Sequence, residues 1–244
     1  VSVDPTLTFA LQKEHVAQEL VEICRLDKTN WTEATARESF EVVRREAERG
    51  LPFAMCICSR FYTAGWGCEK STESAFFWAE QAMKSGFPPG YFELGTCIEY
   101  GTGTPANLEQ ACSYYEIAAE KGFGFAASHL ATIYYAGKLG HQDIGKALDY
   151  ARTADRLGEP MAPLLMASWY EDGNGIARSA KEAVRWYVRA AELGSFFASH
   201  RLSMAYSKGE LGLSADMALA KKYEAMFDSQ LEAIERWPRK SSST

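Results

Sequence analysis

The chain has 244 residues, with 26 Lys and Arg against 32 Asp and Glu, a net charge of −6. That acidity argues against a general nucleic-acid binder, which needs a basic surface to displace phosphate counterions. With 47% hydrophobic and 24% charged residues the composition is that of a globular chain, and no apolar run approaches the roughly 18 residues that would span a bilayer.

Val1 opens the chain without Met or a basic, apolar leader. A processed or truncated chain is expected, in the cytoplasm or, after loss of a signal peptide, in the periplasm. Asp4-Pro5 supplies an N-cap and a first-turn proline and predicts a helix to about Leu26. Asn30 and Glu33 predict the cap of a second helix ending at Gly50.

From there a repeat dominates. Gly50, Gly86, Gly122, Gly158 and Gly194 recur every 36 residues, and Gly65, Gly101, Gly137, Gly173 and Gly209 follow each by 15. Counted from each first glycine, small residues stand at +4 (Ala54, Gly90, Ala126, Ala162, Ala198). Mostly aromatic residues stand at +12 (Tyr62, Ile98, Tyr134, Tyr170, Tyr206). A second set reads Ala75, Ala111, Ala147, Ala183, then Trp78, Tyr114, Tyr150, Trp186, then Ala82, Ala118, Ala154, Ala190. Steps of three and four place each set on one helix face. Each unit is therefore a helix of about three turns (A), a loop and a slightly longer helix (B), with the aromatics expected to fill the gap to the next unit. The glycines suit left-handed C-terminal positions. Ser71, Asn107, Asp143 and Ser179 are N-cap types for helix B, and Asn107/Gln110 and Ser179/Glu182 have the spacing of capping boxes. The lattice divides the chain into a two-helix leader (1–50), five units (51–230) and an extension of the last helix with a polar tail (231–244). Gln230 replaces the sixth glycine, so the last helix is expected to run on to Trp237, where Pro238 stops it.

These units resemble the Sel-one-like repeat, a relative of the tetratricopeptide repeat. Leu94-Gly95, Gly101-x-Gly103, Ala111, Tyr114-Tyr115, Ala118-Ala119 and Gly122 carry the resemblance in unit two. Tyr170, Gly173-x-Gly175, Ala183, Trp186-Tyr187, Ala190-Ala191 and Gly194 carry it in unit four. Leu139 and Leu211 replace the second loop glycine in units three and five, so those turns are expected to differ. The resemblance implies an all-α fold, a right-handed α-solenoid of antiparallel helix pairs. It also implies an adaptor, assembly factor or inhibitor rather than a catalyst. The family includes bacterial adaptors and immunity proteins that neutralise secreted phospholipase toxins, among them type VI effectors.

No catalytic motif stands against that expectation. G-x-S-x-G, H-E-x-x-H and a Walker A loop are absent, as is Ser-x-x-Lys, which counts against a cell-wall or β-lactam-binding enzyme. His15, His129, His141 and His200 form no i,i+4 pair, so neither a metal nor any other cofactor is expected. The Gly-x-Gly loops read as repeated turns rather than phosphate loops. Cys24, Cys56, Cys58, Cys68, Cys97 and Cys112 contain no Cys-x-x-Cys and read as buried thiols. Cys97 and Cys112, equidistant from the centre of one A–B turn, are the candidate disulfide pair.

A solenoid of this type holds partners on the concave face lined by A helices. By tetratricopeptide analogy the outward positions are +3, +6, +10, +13 and +14. They nominate Phe53, Arg60, Phe92, Glu99, Phe125, Tyr135, Leu164, Glu171, Phe197 and His200 as the partner-binding face; packing between neighbouring A helices is the competing explanation for Phe92, Phe125 and Phe197. The expected function is to hold one protein partner, such as a toxin effector, as an adaptor or immunity protein, in a monomer or lateral dimer. A self-assembling structural scaffold is the other alternative, and neither nucleic acid nor a membrane span is expected.

Overall fold

The computed structural model describes residues 32–235, and the predicted Asp4–Leu26 helix, Asn30, Cys24, Trp237 and Pro238 lie outside them. The described chain is all-α. Eleven helices follow one another: α1 (Glu33–Glu48), α2 (Pro52–Ala64), α3 (Thr72–Lys84), α4 (Pro88–Tyr100), α5 (Leu108–Glu120), α6 (Gly124–Ala136), α7 (Ile144–Arg156), α8 (Met161–Asp172), α9 (Ala180–Glu192), α10 (Phe196–Lys208) and α11 (Met217–Glu235). From α2 onward they form five A–B pairs of an α-solenoid.

The helix ends are where the local chemistry puts them. Ser71, Asn107, Asp143 and Ser179 each accept a hydrogen bond from the third backbone N–H of the B helix that follows. The reciprocal capping box closes at Thr32 and Thr35, so the cap of α1 stands two residues after the Asn30 predicted for it. All ten lattice glycines have positive φ, between +67° and +94°. There a Cβ would clash with the backbone, so glycine ends the helix at little cost. With caps and stops so fixed, helix B equals helix A at 13 residues in units one to three, and exceeds it by a single residue in unit four, where α8 has 12 and α9 has 13. Only α11, lacking the stop glycine, reaches 19 residues.

The helices gather into two compact units, one up to Ala127 and one from Ser128 onward. In the first, Phe40, Val43, Phe53, Ile57, Phe61 and Phe87 form a core around Ala82. Gly90 lies so close to α3 that an added Cβ would stand 2.4 Å from the Ala82 carbonyl carbon. In the second, Ala167, Ala183, Ala190, Ala198 and Leu202 form one cluster, and Ala147, Ala151, Met166 and Trp169 another. Alanine at these contacts leaves no side chain between the backbones, so the helices approach closely. Two of the +12 tyrosines pack within their own helix pair rather than toward the next unit, while Tyr62 meets Phe40 of α1 edge-on at 5.2 Å. Tyr134 stacks on Tyr150 at 5.6 Å and Tyr206 on Tyr223 at 5.7 Å.

The last helix departs from the lattice. Asp216 caps α11, accepting from the N–H groups of Ala218 and Leu219. Counted from that cap, Phe227 takes the place of Ala82, Ala118, Ala154 and Ala190, all fully buried. Glu224 replaces Ala79, Tyr115, Ala151 and Tyr187, and Lys221 replaces Phe76, Cys112, Leu148 and Val184. The outer face of α11 is thus polar where the other B helices are apolar.

Candidate partner-binding faces

The A helices divide along their length. Their N-terminal halves are packing surface. Phe53 is 0% exposed and belongs to the core of the first unit, which removes it from the proposed binding face. Phe92 is 8% exposed, with its ring 5.0 Å from Tyr115, 5.6 Å from Phe123 and 5.2 Å from the half-buried Phe125. It fills the joint between successive helix pairs, as the competing explanation required. Cys56 and Ser128, which share the +6 position with Phe92, are also buried. Tetratricopeptide spacing assigned +3 and +6 to the surface, but Phe53, Cys56, Phe92 and Ser128 are buried, whereas Met161 at +3 of α8 is 44% exposed. In α10, which no further helix pair follows among the described residues, the same positions emerge. Phe197 is 61% exposed against Phe196, and the exposed His200 ring lies 5.1 Å from Phe227.

The C-terminal halves face outward and carry side chains held in place by partners. In the first unit the Arg60 guanidinium donates to the buried Glu93 carboxylate of the next A helix, its Nε at 2.9 Å. Glu99 accepts the Tyr115 hydroxyl at 2.8 Å, and Tyr100 beside it is 66% exposed. Burial, followed by the bond to Glu99, pushes the Tyr115 hydroxyl far above its usual range, so it stays a donor.

In the second unit Tyr135 stacks on Trp169 at 4.2 Å, and Leu164 is partly buried against the Ala167–Leu202 cluster. Glu171 repeats the motif of Glu99 two units later, accepting the Tyr187 hydroxyl at 2.7 Å. It also receives Arg201, whose Nη1 reaches Glu210 at 2.8 Å. Burial pushes the Glu171 carboxyl up, but hydrogen bonds from Arg201 and Tyr187 and the Arg201 and Arg178 charges together hold it below its ordinary value.

Of the ten nominated residues, Arg60, Glu99, Tyr135 and Glu171 sit on the outward half. Their partners Glu93, Tyr115, Trp169, Tyr187 and Arg201 were not foreseen. The Glu–Tyr pair had a readable signal: Glu99/Tyr115 and Glu171/Tyr187 share a spacing of 16. The Arg60–Glu93 and Arg201–Glu171 pairs had none, because those partners lie 33 and 30 residues apart. Cys97 and Cys112 stand as buried thiols, not as a disulfide. Among the described residues no group of three or more His, Cys, Asp or Glu is placed to hold a metal. No described helix is long and apolar enough to cross a membrane.

Comparison with known families matches the Sel1 repeat five times, at residues 52–87, 88–123, 124–158, 160–195 and 197–223. The chain belongs to the Sel1 repeat family. Sel1 repeats build protein-interaction scaffolds, and this chain is one of that kind. It is 34% identical over 146 residues to the chitin synthase regulator SKT5 of Malassezia restricta, a match covering 58% of this chain and 10% of that protein. It is 29% identical over 159 residues to the uncharacterized protein NMB1327 of Neisseria meningitidis, covering 65% of this chain and 33% of that one. The Sel1 chain thus spans a third or less of these relatives. Among solved structures, a Sel1 repeat protein from Oxalobacter formigenes superposes with a TM-score of 0.66 at 24% identity, over 93% of this chain and 88% of that one. The immunity protein PA5088 of Pseudomonas aeruginosa superposes with a TM-score of 0.63 at 21% identity, over 96% and 85%.

Proposed function

We propose that this Sel1 scaffold holds a single protein partner on the outward halves of its A helices, and that it acts as a bacterial adaptor or as an immunity protein that blocks a secreted toxin. The observation that carries the reading is the ordered, partly exposed side chains on those halves. Arg60, Glu99, Tyr135 and Glu171 are each held by a bond or a ring stack, with Tyr100 exposed at the end of α4. Side chains already fixed lose less entropy when a partner docks, and Tyr and Arg anchor protein interfaces more often than other residues. The fold shared with an immunity protein supports the toxin-blocking form of the reading without naming a toxin. Thiols rather than disulfides at the described cysteines favour a reducing compartment, hence the cytoplasm over the periplasm.

The test is affinity capture from the source organism with the wild-type chain, Tyr100→Ala and Glu99→Ala with Tyr135→Ala. One protein held by the wild type and lost from the variants, at unchanged helicity, is the expected result. Equal capture by all three places the contact elsewhere. For the immunity form, the captured protein expressed alone should arrest growth, and co-expression of this chain should relieve the arrest.

A further inference from the structure

The loop between α8 and α9 is tied down less than its counterparts. In each of the other A–B loops the residue after the first glycine donates its backbone N–H to the carbonyl five positions back. Trp66 donates to Phe61 at 3.1 Å, Thr102 to Cys97 at 2.8 Å, Lys138 to Ile133 at 3.2 Å and Glu210 to Ala205 at 2.9 Å. The bond persists even where Leu139 and Leu211 replace the second loop glycine. Asn174 holds that place after Gly173, and neither its backbone N–H nor its side chain makes a hydrogen bond among the described residues. The N–H of Gly175, the next residue, makes none there either. Both residues are exposed, with Gly175 at φ +74°.

An asparagine in this state has a reaction open to it, because its side-chain carbonyl carbon is one ring closure away from the following backbone nitrogen. The attack needs a side chain free to rotate, a nitrogen not engaged in a hydrogen bond, and no bulk on the residue that carries it. The chain has three asparagines, and Asn30 lies outside the described residues. Asn107 is locked as the cap of α5: its Oδ1 accepts the Gln110 N–H at 3.0 Å, and the branched Leu108 follows it. Asp172, which also precedes a glycine, is blocked differently, because the Gly173 N–H donates to Trp169 at 3.0 Å. Asn174 meets all three conditions, and Gly175 has no side chain to crowd the approach.

We propose that Asn174 is a modification site, converted by water to aspartate and isoaspartate in the folded chain. The Gly175 nitrogen gives up its proton and attacks Asn174 Cγ. A bond forms between that nitrogen and Cγ, the Cγ–Nδ2 bond breaks, and Nδ2 leaves as ammonia with the proton returned to it. The product is a five-membered succinimide. Water then adds to one of the two ring carbonyls, the bond from that carbon to nitrogen breaks, and the nitrogen regains a proton. Opening at Cγ leaves aspartate at position 174. Opening at the main-chain carbon leaves the chain running through Cγ, as isoaspartate. No electrons are transferred, and water is the only reagent. Either product adds a carboxylate two residues beyond Asp172, at the outward end of α8, and isoaspartate also lengthens the main chain by one carbon between Gly173 and Gly175, both at positive φ. The step depends on the loop alone and stands whether or not a partner docks on that face.

The test is to incubate the full chain at physiological temperature in neutral and mildly alkaline buffer, both folded and unfolded in guanidinium chloride, and to map its peptides by mass spectrometry. The folded chain should convert Asn174 at a rate within a few-fold of the unfolded chain, and faster as pH rises, because the attacking nitrogen must lose its proton. Both isomers should form, with isoaspartate the larger share, read by methyl transfer from S-adenosylmethionine with an isoaspartate methyltransferase. Asn107 should stay intact in the folded chain. Asn174→Gln places the carbonyl one carbon too far for the five-membered ring and should remove the modification with helicity unchanged. A folded chain that keeps Asn174 while the unfolded chain loses it would show that the loop protects the residue, and would overturn the proposal. Aspartate without isoaspartate would mean direct hydrolysis of the side chain and would overturn the ring-closure route. Equal conversion of Asn107 in the folded chain would show that the free N–H does not select the site.

Discussion

Cys58 and Cys97 show how burial sets reactivity in this chain. Burial first, then the neighbouring Cys68, pushes the Cys58 thiol up to about 12, and burial followed by Glu93 pushes the Cys97 thiol up to about 11. The thiolate is the nucleophile, so at pH 8 both are almost wholly protonated. Native chain treated with iodoacetamide at that pH should leave Cys56, Cys58, Cys97 and Cys112 unmodified by mass spectrometry, and denaturant should release all four at once. Labelling of Cys58 in the folded state would contradict the structure. Glu171 is the opposite case, a carboxyl held below its ordinary value of 4.5. Below that pH the unfolded chain takes up a proton before the folded one does, so the Glu171 contribution is complete above it and fades as pH falls through the lower folded value. The stability difference between wild type and Glu171→Gln should therefore shrink on acidification below about 4.5, measured by urea unfolding at several pH values. A difference that grows on acidification would overturn the assignment.

At the scale of helices, close approach sets the energetics. Gly90 presses against the backbone of α3, so Gly90→Ala must push α3 and α4 apart. A loss of about 1–3 kcal/mol is expected, the usual cost of overpacking a close contact. Gly145, near the start of α7, meets only Asp143 Oδ1 at an ordinary 3.5 Å. Gly145→Ala should stabilise by about 0.5–1 kcal/mol, because alanine loses less backbone freedom on folding. Urea midpoints of the two variants separate these outcomes. The helices themselves were legible from Ser71, Asn107, Asp143, Ser179 and the glycines because caps and stops are local chemistry. The outward face was legible only in part. Phe53 and Phe92 looked like anchors, but whether a phenylalanine on an A helix meets water or the next A helix depends on the crossing between helix pairs, which no spacing within one helix encodes.

For the molecule as a whole, the last helix determines what happens at one end of the repeat. Stacked repeats bury each B helix under the next A helix, and a terminal helix needs a polar outer face to remain soluble. Lys221, Glu224 and Asp228 provide that face on α11, and Phe227 stands where a close-packed helix would need alanine. Changing Lys221→Leu, Glu224→Ala, Phe227→Ala and Asp228→Ala together should turn α11 into an ordinary B helix face. Concentration-dependent self-association by sedimentation is the expected result, and a chain that stays at its wild-type mass would show that this face does not govern stacking.

The sequence by itself determined the all-α class, the repeat length, the caps of α3, α5, α7 and α9, the glycine stops and the membership of a scaffold family, because periodicity, capping and left-handed glycine are properties of neighbouring residues. Tertiary structure decided which aromatics are core, which carboxylate each arginine meets, and that Cys97 and Cys112 are not joined. Each of these depends on distances between residues far apart in the chain, where a shift of one position or a small change in helix crossing moves a side chain from the surface to the core.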